Sequence, residues 1–397
     1  MLKTTTALTL SLALATGALA SNYDTGATDD EIKFGVIVPL SGPASAYGST
    51  GPCIASYFQM VNDKGGINGR KISVSVQDDG YNPAKTLEQA RRLVEREGVL
   101  FIAGNIGTPT NSAIQRYMNQ RKVPHLFLTT GASKWDDPES FPWTMPYIPS
   151  YAAEGRIYAK YIKENMPGAK IGILYQNDDF GRDYMEPFIE QLGDDSMVVS
   201  AVSYDTTAAT VDSQMSTLKE SGADVFLNVA SPKFAAQAVR RAGEIGWNPT
   251  QFLVSISNAK AAVLEPAGLD YATGIISTQY LKEPSNPAYA EDADVKAWKE
   301  FKTEYFPKAS EGNWWDWSCY SAAYTIEHVL TQAGDELTRE NLMQIASNLE
   351  AFEAPMLLPG ITVNTADDDF APIEAMSLME FDGKNWVLFG DVITVDR

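Results

Sequence analysis

Residues 31–79 read EIKFGVIVPLSGPASAYGSTGPCIASYFQMVNDKGGINGRKISVSVQDD, and their rhythm decides the fold. Residues 33–39 are a β-rich run, residues 51–63 carry apolar side chains at helical spacing, and residues 71–77 alternate as a strand does. Strand, helix, strand in that order is a βαβ unit, whose two strands lie parallel with the helix across one face. Asn62 to Gly69 gathers Asn and Gly where the helix has to stop and turn into the next strand, since glycine takes positive φ without steric penalty.

Outward from this unit the alternation continues. Helix is expected over 82–97, strand over 99–103, helix over 111–120 and strand over 125–129. Residues 141–149 then break the pattern with Pro142, Pro146 and Pro149, which disfavour helix and suit an extended crossing segment, a hinge. A second alternation follows: helices over 151–165, 183–192, 210–221 and 233–245, with strands over 170–175, 197–203, 225–229 and 252–255. After a strand over 274–280 come helical regions over 289–306 and 317–333, and strands over 375–381 and 385–392. The expected fold is α/β: two doubly wound parallel-sheet lobes joined by hinge strands. Lobe one takes 32–142 plus 282–351, and lobe two takes 143–280 plus 352–397. A ligand would sit between them, in the loops just after the strands, where helix N-termini present free N–H groups.

Composition narrows the function. A formal charge of −20 over 397 residues excludes nucleic acid as a partner, because phosphate repels such a surface. Residues 1–20 run from Lys3 through an apolar stretch to Ala18-Leu19-Ala20, the order of a secretory signal, with cleavage expected after Ala20 and the periplasm as destination. The residue next to that point is Ser21, not a cysteine that could carry a lipid anchor. Cys53 and Cys319 are the only cysteines, and a bridge between them or two buried thiols are both open. His125 and His328, the only histidines, stand in no metal-site spacing, no G-x-S-x-G elbow appears, and no G-K-S/T follows the glycines of 65–69. The residues therefore call for no catalysis, metal or cofactor.

The segments Ile37-Val38-Pro39-Leu40-Ser41-Gly42-Pro43 with Tyr47-Gly48, Asn62 to Lys71, Asp78-Asp79 with Asn82-Pro83, the loop Gly104 to Thr108, and Asn177-Asp178-Asp179-Phe180-Gly181 occur in an order that resembles the type 1 periplasmic binding proteins of the leucine/isoleucine/valine-binding kind. The resemblance covers nearly the whole chain beyond residue 20. It implies a monomeric protein that captures a small molecule by lobe closure and presents it to the permease and ATPase subunits of an ABC importer, or to a receptor kinase. It also implies that Tyr47 lines the pocket, and that Thr108 and Ser133, with backbone groups of Gly131 or Ala132, receive a carboxylate. The loops that hold them, small and rich in hydroxyls and amides, suit that task.

Two positions depart from the amino-acid-binding pattern. Phe180 stands where the family carries a tyrosine. The place of the acid that pairs with an α-ammonium falls at Ile256 or Ser257, and no carboxylate occurs between Gln251 and Lys260. An ammonium buried there would lack a partner unless Asp179 or Asp183 reached it. The expected ligand is therefore a small carboxylate or amide without an α-ammonium, aromatic or apolar at its far end, with a branched-chain amino acid as the competing reading. Trp317 and Tyr320 are expected to pack in the core, whereas Trp314, Trp315, Tyr147 and Tyr280 could close over the cleft.

Overall fold

The computed structural model describes residues 22–394, so the expected signal and its cleavage point lie outside the described residues. Along the chain run β1 (Asn22–Tyr23), β2 (Glu31–Val38), α1 (Thr50–Asp63), β3 (Lys71–Asp78), α2 (Pro83–Arg91), β4 (Phe101–Ala103), α3 (Thr108–Arg121), β5 (His125–Leu128) and β6 (Thr144–Pro146). Next come α4 (Tyr151–Asn165), β7 (Ile171–Gln176), α5 (Asp179–Leu192), β8 (Val198–Tyr204), α6 (Asp212–Glu220), β9 (Val225–Val229), α7 (Pro232–Glu244) and β10 (Thr250–Leu253). The remainder holds the short α8 (Glu265–Ala267) and α9 (Leu269–Ala272), β11 (Ile276–Gln279), α10 (Ala293–Tyr305), α11 (Trp314–Ala333), β12 (Glu336–Leu337), α12 (Arg339–Ala346), β13 (Ala375–Phe381) and β14 (Trp386–Thr394).

Two large sheets result. The first is five-stranded and parallel throughout, in the order β3-β2-β4-β5-β6. The second is seven-stranded, in the order β14-β13-β11-β10-β9-β7-β8. Its first three strands pair antiparallel, so the second sheet is mixed at one edge where a parallel one was expected. Phe34, wholly buried, shows how the first core is filled: it stacks on Phe101 at 4.7 Å and meets Phe58 of α1 edge-on at 5.2 Å. Each such burial contributes about 1.5–3 kcal/mol.

The Asn62 to Gly69 turn works as its composition requires. The Asn62 side chain accepts from the Ile72 N–H at 2.7 Å and donates to the Ile72 carbonyl at 2.8 Å, fixing where β3 begins. Gly66 sits at φ +76°, where a Cβ would lie 2.1 Å from the Arg70 carbonyl oxygen.

Backbone pairing bears on two of the expected lobe limits. Thr144–Pro146 pairs with β5, so the first half keeps its sheet through Pro146, past the expected limit at 142. Residues 352–366, expected in the second lobe, are tied to the first half. Thr365 donates its N–H to the Leu349 carbonyl and its hydroxyl to the Ala346 carbonyl, and Phe352 bridges Val363. Among the described residues the chain passes three times between the side of the five-stranded sheet and that of the seven-stranded sheet, near 147–150, 280–282 and 370–374.

The cysteines form a bridge. Cys53 of α1 and Cys319 of α11 are joined over a sequence separation of 266 residues, which pins the late helices to the first sheet. Trp317 and Tyr320 are buried beside it, and Tyr320 packs at 5.2 Å on both Tyr57 and Phe301. Closing so long a loop stabilises by about 2–4 kcal/mol through the unfolded chain. The double variant Cys53→Ser/Cys319→Ser should lose that amount in urea unfolding, and reductant should destabilise the parent but not the variant.

Candidate functional site

Four helices begin at one point between the two sheets. Thr108 opens α3, Tyr151 opens α4, Phe180 is the second residue of α5, and Trp315 is the second residue of α11. All four side chains line one narrow cleft, joined by Tyr47, Tyr81, Thr129, Ile256 and the backbone of Ile106–Gly107. The first N–H groups of a helix have no partner inside it; Asp178 takes those of Phe180 and Gly181 at α5 and the Gly131 carbonyl takes that of Tyr151 at α4, which leaves the starts of α3 and α11, without a side-chain cap, to turn donors toward the cleft.

The walls are aromatic. Tyr47 meets Trp315 edge-on at 4.4 Å and lies 6.1 Å from Tyr81, while Tyr151 contacts Phe180 at 5.3 Å and Tyr184 at 4.5 Å. Burial pushes the phenols of Tyr47, Tyr81 and Tyr151 well above the usual range, so all three remain neutral donors. The halves are drawn together here: the cleft narrows to about 10 Å³, room for about one water molecule.

Beneath Thr108 lies a buried polar cluster. Asn111 donates through Nδ2 to the carbonyl of Gly107 at 2.7 Å, and its Oδ1 lies 2.8 Å from His125 Nε2. That arrangement makes Nε2 the protonated nitrogen of His125, and burial holds the ring's pKa down at about 3. The Thr108 hydroxyl pairs with Thr130 at 2.7 Å.

The carboxylates nearby are engaged by the protein itself. Asp178 caps α5 by accepting from the N–H groups of Phe180 and Gly181, and takes a third bond from Gln176 at 2.6 Å. Glu154 of α4 accepts four: from Tyr158 at 2.6 Å and from Tyr184, the Ser255 N–H and the Ser255 hydroxyl at 2.7 Å each. Burial raises the pKa of both carboxyls, while these donors favour the ionised form. Glu154 thereby holds the loop that carries Ile256 and Ser257.

Of the residues expected to bind, Tyr47, Thr108 and Phe180 come together in the cleft, with Ile256 opposite them. The others lie elsewhere. Ser257 is buried and turns its hydroxyl to the Ala230 carbonyl at 2.6 Å. Tyr147 and Tyr280 line a separate small space behind the cleft with Trp314, and the Tyr147 hydroxyl is taken by Ser321 and Thr325. Gly131, Ala132 and Ser133 line a third cavity beside the crossing segment.

Ser133 is not free to receive a carboxylate, because Asp183 of α5 already provides one. The Ser133 N–H and hydroxyl donate to its two oxygens at 2.9 and 2.5 Å. Next to it Lys134 reaches Asp179 at 3.1 Å, which lowers the Asp179 pKa. Both contacts join the first half to the second. Tyr81 and Tyr151 were missed in the sequence. Tyr81 follows the strand-end pair Asp78-Asp79, in a post-strand loop of the kind that binds ligands, and Tyr151 follows the capping Ser150.

The Ser133–Asp183 pair acts as a clasp on the closed arrangement. Hydrogen bonds to a charged group contribute about 1.5–3 kcal/mol when sheltered, and this half-exposed pair falls at the low end, about a tenfold effect. Asp183→Ala should raise the ratio of open to closed protein about tenfold, seen as a larger radius of gyration in solution scattering. His125 gives a pH signature. Its folded pKa lies below the unfolded value near 6.5, so its contribution is complete above pH 6.5 and is lost as pH falls toward 3. In urea unfolding, the parent should lose about 2 kcal/mol more than His125→Gln between pH 6.5 and 5.

The sequence profile of the family described as periplasmic binding protein matches residues 31–385. A Leu/Ile/Val-binding protein homolog 7 of Brucella suis biovar 1 is 27% identical over 251 residues, 60% of this chain and 61% of that protein. A Leu/Ile/Val-binding protein homolog 1 from the same strain is 23% identical over 269 residues, 66% of this chain and 70% of its own. The chain thus spans about three-fifths of the length of the first of these relatives. Among solved structures, a possible leucine/isoleucine/valine-binding protein from Rhodopirellula baltica superposes with a TM-score of 0.81 at 21% identity, over 94% of this chain and 98% of the other. A branched chain amino acid ABC transporter protein from Thermus thermophilus with bound valine gives 0.81 at 16%, over 92% and 97%. A fatty acid ABC transporter substrate-binding protein from Thermomonospora curvata gives 0.77 at 20%, over 95% of each. At these identities the superpositions establish the fold.

Proposed function

The chain belongs to the periplasmic binding protein family, whose members bind ligands and catalyse no reaction, and from that premise we propose that it is the exported, periplasmic substrate-binding component of an ABC importer. Its cargo is a small carboxylate or amide without an α-ammonium, with an aromatic or apolar body. One observation carries the reading: five aromatic rings and four helix N-termini line the cleft, and no acidic or basic side chain is among them.

Helix N-termini and neutral tyrosine hydroxyls suit a group that accepts hydrogen bonds. The rings suit a flat or greasy body. An α-ammonium would find the three nearby carboxylates committed, Asp178 to the α5 cap, Glu154 to its four donors and Asp183 to Ser133. Burying it unpaired is costly. The resemblance and the names of the relatives keep a branched-chain amino acid as the rival.

The lobes in this reading are 31–146 with 283–369, and 151–279 with 375–394. A monomer closes them over its ligand, contacts from both sides favour the closed form, and the permease and its ATPases read that shape. Titration calorimetry and thermal unfolding with aromatic and aliphatic acids, their amides, and leucine, isoleucine and valine would decide. At a hundredfold excess over Kd the true ligand stabilises by about 2.7 kcal/mol. An acid or amide lacking the ammonium should do so, and Phe180→Ala should weaken it about tenfold. Stabilisation by leucine or valine alone would overturn the assignment.

A further inference from the structure

The aromatic cleft is not the only space enclosed between the described residues. A cavity of about 270 Å³ lies on the other side of the crossing segment, bounded by the loop after β5, by Pro146, Ile148 and Pro149, by the first two turns of α4, by Pro187 of α5, and by Ala371, Ile373 and Met376 of the return crossing. Its volume approaches the lower range of small-molecule sites, about 300 Å³, and its wall is mainly apolar. Gly131 permits the tight wall between the two spaces: a Cβ there would lie 2.0 Å from the Pro149 carbonyl oxygen, and its own carbonyl accepts from the Tyr151 N–H at 2.7 Å.

Three polar features give the cavity a chemistry. Arg156 is the one cation in its lining, and its guanidinium stands 3.8 Å from Glu190, beyond hydrogen-bond reach of that partner. The start of the 15-residue α4, at Ser150, Ala152 and Ala153, faces the same space. Asp136 and Glu374 also line it, and Asp136 accepts from the Phe370 N–H at 2.7 Å. The guanidinium is the feature that favours an acceptor, since the Tyr151 and Ala153 N–H groups at the α4 start are taken by the Gly131 carbonyl and the Ser150 hydroxyl.

We propose that this cavity is a second small-molecule site, for a compact, mainly apolar molecule ending in one carboxylate or neutral hydrogen-bond-accepting head group held by Arg156. The site is built from both halves and two of the three crossings, so a molecule that fits it in this closed arrangement binds less well once the halves part. Its occupancy therefore favours closure, and a cleft ligand and a hinge ligand tighten each other by the same factor.

The probes are cyclohexanecarboxylate, cyclohexanecarboxamide and cyclohexylamine, titrated into the full protein by calorimetry. The acid and the amide should bind and the amine should not. Ala153→Trp, which fills the cavity, should weaken both at least tenfold, and Arg156→Gln should weaken the acid at least fivefold more than the amide. Phe180→Ala, a change in the aromatic cleft, should leave them within twofold. No binding to the parent, binding unchanged in Arg156→Gln and Ala153→Trp, preference for the amine, or loss in Phe180→Ala would each overturn the assignment. The last outcome would place the probes in the aromatic cleft and leave the importer reading standing. Should Ala153→Trp fail to fold by circular dichroism, the half-exposed Arg156→Gln decides alone.

Discussion

Donor groups at the start of a helix have no partner within it, and this fold gathers four such starts at one place. Thr108, Tyr151, Phe180 and Trp315 each lie in the first two positions of their helices, and none of the cleft's walls carries an acidic or basic side chain. Sheet topology dictates the convergence of α3, α4 and α5, which follow β4, β6 and β7, whereas α11 follows α10. Parallel strands send their carboxyl ends to the same edge, and the helices that follow must begin there. Aromatic side chains cover the rest of the surface without competing for those N–H groups, and their hydroxyls add donors that burial keeps protonated.

The acidic groups near the cleft are each engaged by the protein itself, and Asp178 offsets one of the four helix starts. Asp178 satisfies the first N–H groups of α5, whereas Glu154 gathers two phenols and both donors of Ser255. A buried carboxylate with four donors is a fastening, joining α4, α5 and the loop after β10 in one network. Removing any single donor would leave part of a buried charge unmet. Asp183 is the exception in kind, since it reaches across from one half to the other and occupies the two donors of Ser133 that the resemblance reserves for a ligand.

The sheet rhythm was legible because strands and helices alternate with clear periods, and the Asn62 to Gly69 turn because glycine and asparagine have few other uses. The site was read only in part, for a definite reason. The expected starts, Asn111 for α3, Asp183 for α5 and Trp317 for α11, each fall about one turn late, because the first turn of a helix need not carry the apolar period. The helices begin at Thr108, Asp179 and Trp314. The missing turns carry Thr108, Phe180 and Trp315, which line the cleft. Asp178, a plain N-cap, would have placed α5 correctly. The Ser133 contact with Asp183 was illegible for another reason: nothing in local sequence shows that residue 183 folds back onto residue 133, because the contact depends on how the two halves meet. Residues 352–366 were assigned to the second lobe by proximity in sequence, but their hydrogen bonds to Ala346 and Leu349 are tertiary and leave no periodic trace.

The division of stability follows from what moves. Within the first half, a disulfide across 266 residues and fully buried aromatic packing hold α1 and α11 against the sheet. Between the halves, the polar bonds from Ser133 to Asp183 and from Lys134 to Asp179 sit at exposed positions, where such contacts contribute only about 1 kcal/mol each. A ligand held at micromolar affinity contributes about 8 kcal/mol, so contacts worth a small share of that, if made only in the closed form, outweigh the clasp. Stiffness sits in the halves and near-balance sits between them. Pro146 and Pro149 at the first crossing keep that boundary narrow by limiting how far the backbone can flex there. Two cavities separated by one layer of that crossing are then tied mechanically, since neither can widen without moving the wall they share.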